Sequence, residues 1–372
     1  MKKIKRMKIM IVSNNFIGLY SFRKELIKAI REEDHEIVIS APFDEMKDYF
    51  KENGCHLVNT QFNRKGMNPI KDFALILNYI KLIKRVKPDV VLSYTIKPNL
   101  YGGMACQLCH VPQIVNVTGL GSAVETPGWL QRLTILLYKV GLRKTNTVFF
   151  QNRANMEFCE SHGMVNSKKI LIPGSGVNLK HHSLQAYPED GTIRFVFISR
   201  LIKEKGIEEY FGAAKIIKSR YPSAEFHVVG WCEDAYSEQL KELQDDGIIK
   251  YHGPVSDVRP LIGMAHCTIH PSFYPEGMSN VLLESCAAGR PIITTNRPGC
   301  GEIVEDGRTG YLVKEKDVCD LVAVIERFLN LPYKEKEKMG LKARNKVENE
   351  FDRQIVVDAY LKEIEDIRRR GK

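Results

Sequence analysis

Residues 193–206 read IRFVFISRLIKEKG, and this stretch sets the fold expected for the second half of the chain. Its first part is mostly apolar, with β-branched and aromatic residues, which predicts a buried strand; a helix-compatible segment follows after a short polar loop. Open α/β sheets bind ligands at the carboxyl ends of their strands, where Arg200 and Lys205 would lie. A forked guanidinium beside a compact ammonium is the pairing that a diphosphate needs.

A second stretch, residues 275–284, reads PEGMSNVLLE and crosses from a loop into a helix. Ser279 and Asn280 are good N-cap residues, and the run after them stays compatible with a helix until Gly289. The backbone N–H groups at such a helix start, from Ser279 to Val281, form a natural seat for a phosphate. The sequence therefore predicts a second anion-binding element.

Two carboxylates flank this helix start. Glu276 precedes it and would reach the hydroxyls of a sugar, whereas Glu284 lies inside the helix and would reach those of a ribose. Two glutamates at this spacing are also common on surface helices, so the pair alone leaves both interpretations open. The loop after the first predicted strand, residues 13–23, contains Gly18, which would let the backbone approach a diphosphate closely; a simple turn explains this glycine equally well.

Together, the stretches 193–206 and 275–284 resemble the glycosyltransferases of family 4. The pattern of that family is an Arg and a Lys after the first strand of the second domain and a Glu-x7-Glu at a loop-helix junction. The resemblance extends over nearly the whole chain. It implies a GT-B fold, in which two Rossmann-like, doubly wound α/β domains face each other across a cleft. It also implies transfer of a sugar from a nucleotide donor, with UDP preferred, and retention of anomeric configuration.

The candidate site residues follow from these patterns and from the resemblance. The expected catalytic residues are Arg200, Lys205 and Glu276, and the expected donor-binding residues are Gly18, Ser279, Asn280, Val281 and Glu284. No Asp-x-Asp motif is present to hold a metal ion, so we expect a cationic clamp in its place and no metal or other cofactor. Residues 106–110 (CQLCH) have the spacing of a haem attachment, but we interpret them as part of a packed helix.

Apolar or β-branched runs alternate with periodic helical segments along the chain, which predicts parallel sheets. The predicted strands are 8–13, 36–40, 56–59, 90–94, 113–118 and 147–152 in a first series, and 194–199, 225–230, 249–252, 267–271, 291–295 and 310–313 in a second. Residues 172–191, rich in glycine, proline and polar residues, separate the two series as a linker. We predict an acceptor-binding domain over 1–180 and a nucleotide-sugar-binding domain over 190–350, with a C-terminal helix, 351–372, packing back on the first.

The composition predicts a cytoplasmic protein of two domains. The 372 residues are 44% hydrophobic, which is enough for two cores. No apolar run reaches the roughly 18 residues needed to span a bilayer, and the basic start of the chain leads into a strand instead of a signal peptide. Nine cysteines without a regular framework fit reduced thiols.

An excess of ten positive charges allows three kinds of partner: a nucleic acid, an anionic membrane or a phosphorylated substrate. No nucleic-acid motif is recognised, and aromatic residues are not interleaved with the basic clusters. Segments 71–87 and 129–144 mix apolar and basic residues as interfacial helices do. The first is expected to pack on the sheet. For the second, which begins with Trp129, two placements are equally compatible with the sequence: packing on the sheet, or a peripheral position on the inner face of the cell membrane.

Residues 62–69 and 117–122 look similar to bacterial enzymes that add a hexose or N-acetylhexosamine to undecaprenyl-diphosphate-linked sugars for capsule, O-antigen or glycoprotein glycans. Arg64 and Lys65 would hold the acceptor diphosphate, although a solvated loop is a competing explanation. Thr118 is the third expected acceptor-binding residue. It ends a predicted strand where many family members carry a His, which puts assistance by histidine at that point in doubt. A soluble acceptor remains open, as does a sugar-nucleotide epimerase of the same architecture, against which the Glu-x7-Glu argues.

Overall fold

The computed structural model describes residues 6–62, 68–189 and 191–370. The chain forms two compact units. The first takes the residues up to Ser175 together with those from Arg353 onwards, and the second is Gly176–Asp352. The sequence places the corresponding boundaries at 180, 190 and 350.

The first unit contains a parallel sheet of seven strands. These are β1 (Lys8–Val12), β2 (Glu36–Ala41), β3 (His56–Asn59), β4 (Val90–Tyr94), β5 (Gln113–Val117), β6 (Thr147–Phe150) and β7 (Lys168–Leu171). Their order is β3-β2-β1-β4-β5-β6-β7, so the winding direction reverses between β1 and β4. Strand β7 was not predicted, because its exposed Lys168 and Lys169 hide the apolar pattern of an edge strand.

Six helices of the first unit lie between these strands. They are α1 (Phe16–Glu32), α2 (Lys47–Glu52), α3 (Pro69–Val86), α4 (Ile96–Cys109), α5 (Trp129–Gly141) and α6 (Arg153–Ser161). Helix α1 begins at Phe16, several residues before the helical segment expected from the sequence. The Asn15 side chain caps it by accepting the N–H of Gly18 at 2.8 Å. The prediction that Gly18 lies in a loop is therefore wrong: it belongs to the first turn of the helix.

The second unit repeats this architecture with six parallel strands. They are β8 (Arg194–Ile198), β9 (Glu225–Val229), β10 (Lys250–Tyr251), β11 (Cys267–His270), β12 (Ile292–Thr295) and β13 (Gly310–Val313). Each falls within a strand predicted from the sequence, and their order is β10-β9-β8-β11-β12-β13. The helices are α7 (Ile207–Arg220), α8 (Ser237–Asp245), α9 (Arg259–Met264), α10 (Asn280–Ala287), α11 (Val318–Leu329) and α12 (Tyr333–Glu350).

Arg290 fastens the segment before β8 to the core of the second unit. Its side chain is fully buried, and its Nη2 donates to the carbonyl oxygens of Ala186 and Gly263, each at 2.7 Å. Its Nη1 donates to the carbonyl of Gln185 at 3.2 Å. Much of the segment that the sequence marks as a linker is therefore an integral part of this unit.

The last helix, α13 (Arg353–Arg370), packs within the first unit. Val356, Tyr360 and Ile364 join its core. The side-chain amide of Asn116, on β5, donates to the Tyr360 hydroxyl at 2.8 Å. In the described part of the chain, no helix is both long enough and apolar enough to cross a bilayer.

Candidate active site

The loops after β8 and β11 meet because these strands are parallel neighbours in the second sheet. The N–H of Phe273 donates to the carbonyl of Glu204 at 2.9 Å, which ties one loop to the other. Gly206 makes this close approach possible: its φ is 80°, and a Cβ at this position would lie 2.2 Å from the carbonyl oxygen of Pro271. The lysine beside Gly206 is thereby held against the loop that carries Glu276.

Lys205 and Glu276 form an ion pair in which the lysine ammonium binds Oε1 of the carboxylate. Their side chains are only 11% and 13% exposed, so this pair is largely withdrawn from water. Burial by itself would raise the pKa of Glu276, but the neighbouring His270 and the charge of Lys205 outweigh it and lower that pKa to about 2. Glu276 is therefore an anion at neutral pH.

Tyr274 organises the two cations of the site. The Lys205 ammonium lies 4.7 Å from the centroid of its ring, and the Arg200 guanidinium carbon lies 5.7 Å from the same centroid. Both distances are within the range of a cation–π contact. Arg200 is exposed, which leaves its guanidinium accessible to a ligand. Sequence reasoning missed Tyr274, although an aromatic residue two positions before the loop glutamate was the available signal.

The start of α10 provides the expected N–H groups, with one change. Ser279 is the N-cap, but its own N–H donates to the carbonyl of Gly299 at 2.8 Å. The seat for an anion is therefore formed by the first-turn N–H groups, beginning with Asn280 and Val281, which have no acceptor inside the helix. Among the described residues, Oδ1 of Asn280 is buried and has no hydrogen-bond partner.

Glu284 lies within α10, as predicted, and its carboxylate is partly exposed. The Nε2 atom of His182 is 3.9 Å from its Oε1. His182 comes from the segment before β8, and no local pattern predicted that it would approach this acid. Glu284 is thus held by a neighbour while part of its side chain still faces solvent.

His270, Glu276 and Cys300 bring metal-ligand atoms within 4.8 Å of one another, the only such group among the residues that the structure describes. Two features disfavour a divalent cation there. The ammonium of Lys205 already neutralises the Glu276 carboxylate. Burial raises the pKa of the Cys300 thiol well above its usual range, which disfavours the thiolate that binds metals.

The remaining candidate residues belong to the first unit. The N–H of Gly18 is engaged by Asn15, and the N–H of Phe16 donates to the Asp44 carboxylate at 2.7 Å, so protein groups already satisfy the start of α1. Thr118 follows β5 and is half-buried. Arg64 and Lys65 lie outside the described residues.

Comparison with known families agrees with the class of protein that the fold and the second-unit site indicate. Residues 8–152 match the family Glycosyl transferase 4-like, and residues 183–346 match Glycosyl transferases group 1. Together the two matches span most of the chain. The chain therefore belongs to the glycosyltransferases that these two families describe, and the protein is a glycosyltransferase.

Three curated relatives have similar sequences. N,N'-diacetylbacillosaminyl-diphospho-undecaprenol alpha-1,3-N-acetylgalactosaminyltransferase of Campylobacter jejuni is 27% identical over 96% of this chain and 98% of its own. The capsular polysaccharide biosynthesis glycosyltransferase CapM of Staphylococcus aureus is 26% identical over 89% of this chain and 90% of its own. UDP-Gal:alpha-D-GlcNAc-diphosphoundecaprenol alpha-1,3-galactosyltransferase of Escherichia coli is 25% identical over 77% of this chain and 78% of its own.

Solved structures confirm the predicted GT-B fold class. HepE of Anabaena, crystallised with UDP and glucose, superimposes with a TM-score of 0.79 over 97% of this chain and all of its own, at 16% identity. A glycosyltransferase of Rickettsia africae gives 0.80 over 98% of this chain and 99% of its own, at 20% identity.

Proposed function

We propose that the protein is a retaining, metal-independent transferase that moves a hexose or N-acetylhexosamine from a UDP-sugar to a lipid-diphosphate-linked saccharide. The observation that carries the proposal of a nucleotide-sugar donor is that the cationic groups of Arg200 and Lys205 both lie near the ring of Tyr274. The proposal of a lipid-diphosphate-linked acceptor draws support from the relatives of Campylobacter jejuni and Escherichia coli, whose names specify undecaprenol-diphosphate-linked acceptors. The biological setting would be assembly of a bacterial surface polysaccharide or glycan.

The chemistry requires stabilisation of the leaving nucleoside diphosphate. When the bond between the anomeric carbon and the phosphate oxygen breaks, negative charge grows on the diphosphate and positive charge on the sugar ring. In this proposal Arg200, Lys205 and the N–H groups at the start of α10 bind that negative charge. Preorganised donors of this kind contribute on the order of several kcal/mol to catalysis.

The two glutamates have different tasks in this scheme. Glu276, ionised at neutral pH, accepts hydrogen bonds from donor-sugar hydroxyls and so orients the sugar. Glu284, on α10, accepts those of the ribose. Retention follows from the family, with the acceptor hydroxyl attacking the face from which the phosphate departs and the departing phosphate taking its proton.

A panel of radiolabelled nucleotide sugars, incubated with the protein and bacterial lipid extracts, tests this proposal. We expect label from one UDP-sugar to enter the organic phase, and to do so much more slowly with Arg200→Ala, which serves as the control. A water-soluble labelled product would favour the soluble-acceptor alternative. Conversion of the donor to an epimer without transfer would favour the epimerase.

The outer face of α5 supports a peripheral position on an anionic membrane. Thr134 and Tyr138 of this helix are buried, whereas Trp129 is 74% exposed and Leu136 is 56% exposed. Two exposed basic residues, Arg132 and Lys139, lie on the same helix, and two more, Arg143 and Lys144, follow its end. Apolar side chains flanked by basic ones are typical of helices that lie in the headgroup region.

Helix α3 extends this surface in a way that the sequence did not predict. Its Leu75 and Leu82 pack in the core, as expected for segment 71–87, but the opposite face exposes Ile70, Phe73 and Leu77. Helix α4 packs against both α3 and α5, so all three helices belong to one layer of the first unit. A lipid surface that covered this layer would contact the exposed apolar side chains of both α3 and α5.

Vesicle flotation tests the membrane surface. We expect the protein to float with anionic vesicles, to bind less as salt rises, and to lose binding at low salt when Trp129 and Leu136 are replaced by Ser, because each basic contact contributes only about 1 kcal/mol. A double variant at exposed apolar positions elsewhere, Leu341→Ser with Ile355→Ser, is the matched control. Equal flotation of both double variants would contradict the assignment of this surface.

A further inference from the structure

His270 lies beside the Lys205–Glu276 pair and has no task in the transfer described above. It ends β11 and is 1% exposed. Its Nε2 is 3.6 Å from Oε1 of Glu276, the same oxygen that the lysine binds. Among the described residues neither ring nitrogen has a hydrogen-bond partner. Buried polar atoms are rarely left unused, so this imidazole calls for a functional explanation.

Binding of a diphosphate creates a difficulty at Glu276. The ammonium of Lys205 cannot donate all its hydrogen bonds to the phosphate oxygens while it stays bound to the carboxylate of Glu276. If it moves to the ligand, a mostly buried anion loses its counter-charge, and such a loss is costly. A second cation in the same place would remove that cost.

We propose that His270 is a positioning residue that replaces Lys205 as the partner of Glu276 when a nucleoside diphosphate binds. Lys205 keeps its proton and transfers its N–H bonds from the carboxylate to the phosphate oxygens. His270 takes one proton from solvent and donates its Nε2–H to Oε1. Glu276 stays ionised and can accept hydrogen bonds from the donor sugar. The exchange rests on the proposed function, because it requires the diphosphate to bind at Lys205.

The surroundings of His270 set the direction of its titration. The charged and titratable groups that face it are Glu276 from its own loop, Lys205 from the loop after β8, and Cys300 from the loop after β12. Burial lowers the pKa of His270, Glu276 opposes this effect and Lys205 adds to it, so the unliganded imidazole is neutral at pH 7. Movement of Lys205 onto an anionic ligand raises the pKa of His270, and ligand binding is coupled to proton uptake.

Calorimetric titration with UDP measures this coupling. Titrations in two buffers of different ionisation enthalpy give the number of protons taken up, and the terminal phosphate of UDP contributes equally to wild type and His270→Gln. We expect wild type to take up more protons than the variant near pH 7.5, by up to about one per site. The affinity of wild type relative to the variant should accordingly fall as pH rises.

Two variants separate charge from packing. The amide of His270→Gln can still donate to Glu276 but cannot titrate, so this variant should bind UDP much as wild type does at pH 8.5. His270→Phe offers no donor, and we expect UDP to bind about ten- to a hundredfold more weakly. Equal proton uptake by wild type and His270→Gln, with UDP bound to both, would overturn the exchange alone. Failure of UDP to bind wild type would overturn the proposed function and the exchange together.

Discussion

Replacement of Lys205 by Ala removes the counter-charge of a mostly buried carboxylate, so stability should fall together with turnover. The pKa of Glu276 is held at about 2 against an ordinary value of 4.5. That difference corresponds to about 3 kcal/mol, of which Lys205 supplies one part. Loss of one partner of a fully buried ion pair costs about 3–5 kcal/mol. Because this pair keeps some exposure, we expect Lys205→Ala to lower the free energy of unfolding by about 2–3 kcal/mol.

A double variant tests whether the loss comes from the orphaned charge. Glu276→Gln added to Lys205→Ala removes the anion that has lost the lysine charge, so the double variant should recover most of the lost stability while remaining inactive. Urea unfolding at pH 7 gives the free energies, and Lys203→Ala, at an exposed lysine of the same loop, is the matched control. A Lys205→Ala variant as stable as wild type, or a double variant less stable than the single one, would show that Lys205 does not stabilise the buried carboxylate.

Three further outcomes are expected. Arg200→Ala, at an exposed position, should keep wild-type stability and lose roughly ten- to a thousandfold in turnover; near-normal turnover would contradict the clamp. Transfer should survive EDTA, and loss of activity that magnesium or manganese restores would show that a metal is needed. Arg290→Met should destabilise the protein by about 3 kcal/mol or more in urea unfolding, since several buried carbonyls lose their donor; a change within 1 kcal/mol would contradict this.

The pH dependence of stability follows from Glu276. The unfolded carboxyl binds a proton near pH 4.5, whereas the folded one does so only near pH 2. The contribution of the Glu276 carboxylate to the free energy of unfolding is therefore complete above about pH 4.5 and is lost as the pH falls toward 2. Unfolding measured from pH 7 down to pH 3 should show a shallower decline for Glu276→Gln than for wild type, and parallel curves would contradict this assignment.

Much of the second unit could be predicted from the sequence because local patterns and topology agree there. Its six strands are short apolar runs bounded by turn residues, and Ser279 stands at the N-cap position of α10. The carboxyl ends of neighbouring parallel strands meet, so Lys205 and Glu276 could be expected at the same edge of the sheet. Their direct pairing could not, because it depends on how closely Gly206 lets the two loops approach.

Other features depend on tertiary contacts that no local pattern encodes. The start of α1 is fixed by Asn15 and Asp44, and the carboxylate of Asp44 comes from a loop well along the chain. The position of His270 beside Glu276 depends on the path of the loop that connects them. Whether Trp129 faces lipid or the sheet was undecided from composition, and only the packing of α5 shows that this side chain is exposed.

We propose that the enzyme transfers a sugar from a UDP-sugar to a saccharide carried on a lipid diphosphate. The most direct test offers purified protein and the active UDP-sugar two acceptors that share one saccharide, one linked to a polyprenyl diphosphate and the other free in solution. We predict rapid transfer to the diphosphate-linked saccharide, little to the free one, and none to either with Lys205→Ala. Equal transfer to both acceptors would show that the enzyme does not require the lipid diphosphate.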